Sequence, residues 1–330
     1  MLKPAFCLAM LAATLASPFS WAQSEAAPEA TGEKVIVTGQ RPGPGLWKVS
    51  KDGHVLWIFG TYAPLPEKMQ WRSQQVEAIL AQSQEMLTPP NASASFGFFK
   101  GITLLPQLIG IKKNPDGAVL HDILPADVYS RWQLLKQKYI GEDDGIERER
   151  PLFVADTLFQ AGLKRAGLSN GNQVGKAIEA MARKNKVKVT STGIELEGDA
   201  GKMIKSFKKA SLADAECFAR TLDRLESDID GMRERANAWA IGDLNVISKL
   251  NYADRDKACD AAILDSQFVQ DQPGLQSMKE RTRLAWLAAA EKSMAANQVT
   301  FAMLPIKELL DPKGYIAALQ SSGYTVDKPE

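Results

Sequence analysis

Two histidines and three cysteines are all that this 330-residue chain has of the side chains that most often hold transition metals. His54 and His121 cannot build a three-histidine zinc site within one chain. The patterns H-E-x-x-H, C-x-x-C and G-x-x-x-x-G-K-[ST] are all absent. Neither sign of charge dominates: 40 Lys and Arg face 39 Asp and Glu. No overall field therefore draws the chain to nucleic acid or to an acidic membrane. With 45% hydrophobic and 24% charged residues, the composition is that of a globular protein and not of a disordered one. The length fits two domains or one larger α/β domain.

Residues 1–22 read as a cleavable secretory signal. Lys3 supplies the positive start, Ala5 to Ala16 the apolar run, and Ser20-Trp21-Ala22 a small-x-small cleavage site after Ala22. The run is shorter than the roughly 20 residues a membrane span needs, and an uncleaved N-terminal anchor is the alternative. The expected location is periplasmic or secreted. Cleavage removes Lys3, leaving 39 residues of each sign. It also removes Cys7 and leaves Cys217 and Cys259. In an oxidising compartment such a pair reads as a disulfide; two buried thiols are the other reading.

Residues 23–45 form a Pro/Gly-rich tether ending in Arg41-Pro42-Gly43-Pro44-Gly45, with Val35-Ile36-Val37 as an optional edge strand. The remainder, 46–330, is read as a single folded domain. It opens with a hairpin: Leu46 to Val49, a turn at Lys51-Asp52-Gly53, and a return strand from His54 to Tyr62. A helix over 72–83 and a short strand at Glu85 to Leu87 follow. Apolar periodicity predicts helices over 126–139, 151–166 and 173–184, and a buried strand over 187–192. One long helix is predicted to start at Ser211, with a capping-box-like spacing to Asp214, and to end at Gly242. Its seam is Phe218, Leu222, Leu225, Ile229, Met232, Ala236 and Trp239. It reads as an internal packing face, with a dimerising coiled coil as the alternative. A helix over 275–296, a strand over 299–304, a helix over 314–320 and a strand over 323–326 close the chain. The apolar stretch Phe96 to Ile111 reads as a helical flap over the core, or else as an envelope or membrane-surface contact.

Gly167-Leu168-Ser169-Asn170-Gly171 matches G-x-S-x-G, but a nucleophile elbow needs a strand before the serine and a helix after it. A helix precedes it here, so the segment reads as a helix–helix turn. His54 reads as an exposed strand-end residue, and His121 as a cap or surface residue. Glu195 and Glu197 share a strand face and could do acid–base work, although a solvated edge is the plainer reading.

Taken together, several segments resemble the TraB/GumN family, which includes the TIKI-type proteins. They are Leu46-Trp47-Lys48-Val49, Leu56 to Thr61, Trp71-Arg72-Ser73 with Val76-Glu77-Ala78, Glu280-Arg281, and Gly314 to Leu319 with Gly323-Tyr324-Thr325-Val326. The resemblance implies an α/β (α+β) fold, a central mixed sheet flanked by helices. It also implies two G-x-x-H motifs and an acidic residue that hold a divalent metal, such as Mn or Co, for peptide hydrolysis. The motifs are altered in this chain. Gly60-Thr61-Tyr62-Ala63 has Ala63 at the first histidine position, Pro305-Ile306-Lys307-Glu308 has Pro305 for the glycine and Glu308 for the histidine, and Pro89 stands where the acid belongs. Alanine and proline side chains offer a metal no lone pair. The expectation is therefore a pseudoenzyme without cofactor or nucleic-acid partner, binding an unidentified ligand or protein partner. The alternative is a metal-dependent hydrolase or peptidase with a relocated site, using Tyr62, Arg281, Glu308 and His54. An Arg281–Glu308 ion pair is expected as the structural remnant of the motif.

Overall fold

The computed structural model describes residues 43–93, 98–196, 198–249 and 253–329. The signal segment, the cleavage point after Ala22, Val35-Ile36-Val37, nearly all of the tether, Phe96 and Glu197 lie outside them.

The hairpin forms as expected. β1 (Leu46–Lys51) turns back into β2 (His54–Thr61), with both Asp52 and Gly53 at positive φ, the combination that matches strand twist in two-residue hairpins. Then come β3 (Leu65–Pro66), α1 (Gln74–Gln82), β4 (Glu85–Leu87), β5 (Ala92–Ser93) and α2 (Phe98–Leu108). The middle of the chain holds α3 (Leu120–Ile123), α4 (Ala126–Tyr139), α5 (Pro151–Arg165), β6 (Leu168–Ser169), α6 (Gln173–Lys184), β7 (Lys188–Thr190) and β8 (Ile194–Glu195). A helical run follows: α7 (Ala200–Lys209), α8 (Ala215–Ser227), α9 (Ile229–Ala240), α10 (Leu244–Lys249), α11 (Ala253–Leu264), α12 (Gln267–Gln270), α13 (Pro273–Gln276) and α14 (Met278–Ala296). The chain closes with β9 (Val299–Pro305), α15 (Ile306–Leu310), α16 (Tyr315–Ser321) and β10 (Thr325–Asp327).

Six strands make one mixed sheet in the order β10-β1-β2-β9-β4-β7, so the expected α/β architecture is present. β9 lies parallel between β2 and β4 and is buried from Thr300 to Leu304, as the unbroken apolar run of a doubly covered strand requires. Two apolar cores result. One packs both faces of the sheet and includes Trp47, Phe59, Phe301, Trp239 and Trp286. The other is helical, built on Trp132, Leu158, Phe159, Phe218 and Leu222.

Four local expectations need correction. The predicted long helix is two helices, α8 and α9, because Asp228 leaves helical geometry at φ −123 and ψ 8. The break redirects the seam. Phe218, Leu222, Leu225 and Met232 enter the helical core, whereas Ala236 and Trp239 enter the sheet core. The internal reading of the seam holds, without a continuous coiled coil. The helix also starts later than Ser211, at Ala215, and Asp214 gives no side-chain cap; its carboxylate accepts from the backbone N–H of Leu152 at 2.9 Å. The strand at 187–192 is the edge strand β7, with Val189 39% exposed, because only β4 pairs with it. Finally, part of the expected flap is exposed: Leu105 and Leu108 of α2, and Ile109 just beyond it, face solvent at 60%, 42% and 75% exposure.

Cys217 of α8 and Cys259 of α11 form the expected disulfide, 42 residues apart.

Candidate functional site

The parallel register sets Gly60 beside Leu304 and Thr61 beside Pro305. The two altered motifs, more than 240 positions apart in the sequence, therefore lie side by side at the carboxyl ends of β2 and β9. That is the usual ligand position in an α/β sheet. A cleft of about 410 Å³ opens there, with Thr61, Tyr62 and Ala63 on one wall and Pro305, Ile306 and Lys307 on another. Gly60 is needed beside the cleft, next to Thr61. Its carbonyl accepts from Trp239 Nε1 at 2.7 Å, and a Cβ would stand 2.9 Å from the Trp47 ring.

The helical layer contributes Phe159 of α5, Arg224 of α8, and Arg255 and Asp256 of α11 to the lining. The short β3–β6 pairing draws the loop after α5 to the same place, so Asn170, Gly171 and Asn172 also line the cleft. The G-x-S-x-G segment is thus a cleft wall and not merely a helix–helix turn. Ser169 Oγ accepts from the Gly171 N–H at 2.9 Å, a local turn bond.

Charge inside the cleft is unequal. Arg224, Arg255 and Lys307 stand against Asp256 among the lining residues. Arg224 Nε lies 2.9 Å from Asp228. Asp228 also receives both terminal nitrogens of the buried Arg235, at 3.1 and 2.6 Å, and Arg235 Nε donates to Tyr62 Oη at 3.1 Å. Arg255 stacks on the Phe159 ring at 4.0 Å and donates to Thr221 Oγ1 at 3.1 Å. Its carboxylate partners are more distant, Asp256 at 3.4 Å and Asp156 at 4.0 Å. Lys307 reaches the same Asp256 at 3.9 Å. Burial pulls the Arg224 and Arg255 guanidinium groups below the ordinary arginine value, against the nearby carboxylates. Burial also raises the Tyr62 phenol above its ordinary value despite Arg235.

The other expected residues do not converge here. Glu308 follows Lys307 on α15 but is not a lining residue. With burial as the larger cause, its charge helps push the Tyr315 phenol up to about 12. Arg281 lines a separate recess with Asp271 and Gln272, and its guanidinium reaches the Gly274 carbonyl at 3.5 Å. No Arg281–Glu308 ion pair forms; Glu280 of that motif pairs instead with Arg283 at 2.8 Å. Pro89 lies beyond β4, and its carbonyl accepts from Thr192 Oγ1 at 3.3 Å. His54 sits at the start of β2, the opposite end from Tyr62, and its Nδ1 is 2.7 Å from the Asn297 carbonyl oxygen. It is half-buried rather than exposed. His121 is a surface residue set edge-on to Tyr129.

The cleft does not suit a divalent metal. Asp256 is the sole carboxylate among the lining residues, and Arg255 and Lys307 approach it at 3.4 and 3.9 Å. Among the described residues, no group of three or more His, Cys, Asp or Glu side chains is placed to hold an ion.

Sequence reasoning missed Arg224, Arg255, Asp256 and Phe159, because they reach the cleft from three helices with no shared motif. Lys307 was in view, but only as a spacer between Pro305 and Glu308.

Comparisons with curated proteins and with solved structures gave no match. A family model does match, that of the TraB/PrgY/gumN family, over residues 45–328. The match takes in both strands that frame the cleft and nearly all of the chain after the tether, and the chain belongs to the TraB/PrgY/gumN family.

Proposed function

We propose that this family member is exported and works by binding a ligand in the cleft at the ends of β2 and β9, not by metal-dependent peptide hydrolysis. One observation carries the reading: the cleft is framed by both altered motifs, yet cations line it where metal ligands are needed. A metal-activated water requires a coordination sphere of several neutral or anionic donors. Ala63, Pro305 and Lys307 supply none, and Glu308 is not among the lining residues. The alternative of a relocated hydrolase needs its groups within hydrogen-bond reach around one pocket. Tyr62, Arg281 and His54 occupy three separate places.

Metal analysis of the purified mature protein, with a peptidase assay in Mn²⁺ or Co²⁺, tests the reading. No stoichiometric metal and no turnover are expected. Bound metal together with turnover that disappears in Glu308→Ala would overturn it.

The Cys217–Cys259 bridge supports export, since structural disulfides persist in oxidising compartments. N-terminal sequencing of the protein recovered outside the cytoplasm is expected to begin at Gln23. A second reading, an envelope or membrane-surface contact through 96–111, draws support from the exposed Leu105, Leu108 and Ile109. Co-sedimentation with liposomes that is unaffected by Ile109→Ser and Leu105→Ser would count against it. Among the described residues, no helix is long and apolar enough to cross a membrane.

A further inference from the structure

The geometry points to the chemistry of the ligand. We infer that the cleft is an anion site, taking a small molecule whose carboxylate or phosphate group sits between Arg255 and Lys307. The inference rests on the binding reading above and names its substrate class.

Two cations of the cleft lining, Arg255 and Lys307, share a single nearby carboxylate. Arg255 and Lys307 approach Asp256 at 3.4 and 3.9 Å, longer than the 2.7–2.9 Å of a well-made charged hydrogen bond. Arg255 is nevertheless mostly buried, its side chain 13% exposed. A guanidinium withdrawn from water with such loose partners has unused attraction for an oxyanion. Its stacking on Phe159 and its bond to Thr221 hold the planar fork in place before any ligand arrives. Arg224, itself paired with Asp228 at 2.9 Å, also lines the cleft.

Asn172, Val174 and Gly175 at the start of α6 also line the cleft. The volume, about 410 Å³, suits a small molecule. Near-balanced charge over the whole chain argues against an extended acidic polymer, which would need a basic face and not one recess.

The test uses the mature, disulfide-intact protein with inorganic phosphate and with succinate, in a low-salt buffer free of other oxyanions, read by titration calorimetry. Glycerol serves as the uncharged control. One site per chain is expected for phosphate, succinate or both, and none for glycerol. Lys307→Gln, at a half-exposed position, should weaken binding roughly tenfold. Asp256→Asn should tighten it several-fold, because the competing carboxylate is gone. A purely structural role for either residue would not give opposite signs. Phosphate alone or succinate alone supports the inference and identifies the anionic group. Absence of binding by both at millimolar concentration overturns it, as does binding that neither substitution alters. A metal-free, inactive protein that binds neither probe would end this inference and leave the binding reading standing. Metal uptake with turnover would end that reading itself.

Discussion

At the residue scale, Glu85 shows how a buried charge is kept in this fold. Its carboxylate is nearly buried in the sheet and accepts from Lys188 at 2.7 Å, Ser293 at 2.6 Å and Asn297 at 3.0 Å, and also from Thr190. Burial alone would raise its pKa, but the four hydrogen bonds win and hold it at about 2, below the ordinary 4.5. A depressed carboxylate contributes stability that is present above its unfolded value and is lost as pH falls through its folded value. Glu85→Gln is therefore expected to lower the unfolding free energy by roughly 2–3 kcal/mol at pH 7. The difference from the parent should shrink between pH 4.5 and about 2, as read from urea melts. Asp228 makes a different case. It lies against two guanidinium groups, Arg224 and Arg235, and removing its charge takes an ion-pair partner from both. Asp228→Asn should cost about 3 kcal/mol and loosen Tyr62 through Arg235. Chemical denaturation checks the first effect and the salt dependence of anion binding the second.

At the element scale, ends and breaks matter more than lengths. The carboxyl end of α7 is held by one residue from another element. Arg150, 2% exposed, donates to the carbonyls of Phe207, Lys208 and Ala210 and to that of Lys113. A cation there satisfies the last-turn carbonyls and the helix dipole together. The disulfide ties α8 to α11, which carry Arg224 and Arg255. Paired replacement of Cys217 and Cys259 by alanine should cost about 4 kcal/mol by the chain-entropy account of loop closure. It should also weaken phosphate binding by freeing α11. A thermal melt with and without reductant reads the first outcome. An unchanged melt would mean that the helical core alone orders these helices.

At the scale of the whole molecule, the cleft lies where the sheet core and the helical core meet. Tyr62 and Ile306 belong to the first and Phe159 to the second. A ligand bridging them should stabilise both by mass action, by about 1.4 kcal/mol at ten times its dissociation constant. Hydrogen exchange should then show protection rising together in β2, β9, α8 and α11. Protection confined to one wall would place the ligand elsewhere.

Much of the architecture was readable from residue patterns because those patterns are local. Asp-Gly between alternating runs gives the first hairpin, and the three- and four-residue spacing over 126–139 and 173–184 gives helices with those bounds. The turn Gly242 at positive φ ends α9 as expected of a C-cap. Alteration of both motifs was equally plain, since Ala63, Pro305 and Glu308 are read directly. The sequence by itself thus determined the family, the alternation of strands and helices, and the side chains missing from the metal positions. Tertiary structure alone decided where the α8–α9 seam divides, because Asp228 answers to Arg224 and Arg235 and not to helix propensity. It alone placed Arg281 away from Glu308 and put Arg224, Arg255 and Lys307 around one cleft. The physical reason is range. Periodicity and turn chemistry act over a few residues, whereas this cleft is set by a parallel register and two helix packings that no stretch of sequence encodes alone.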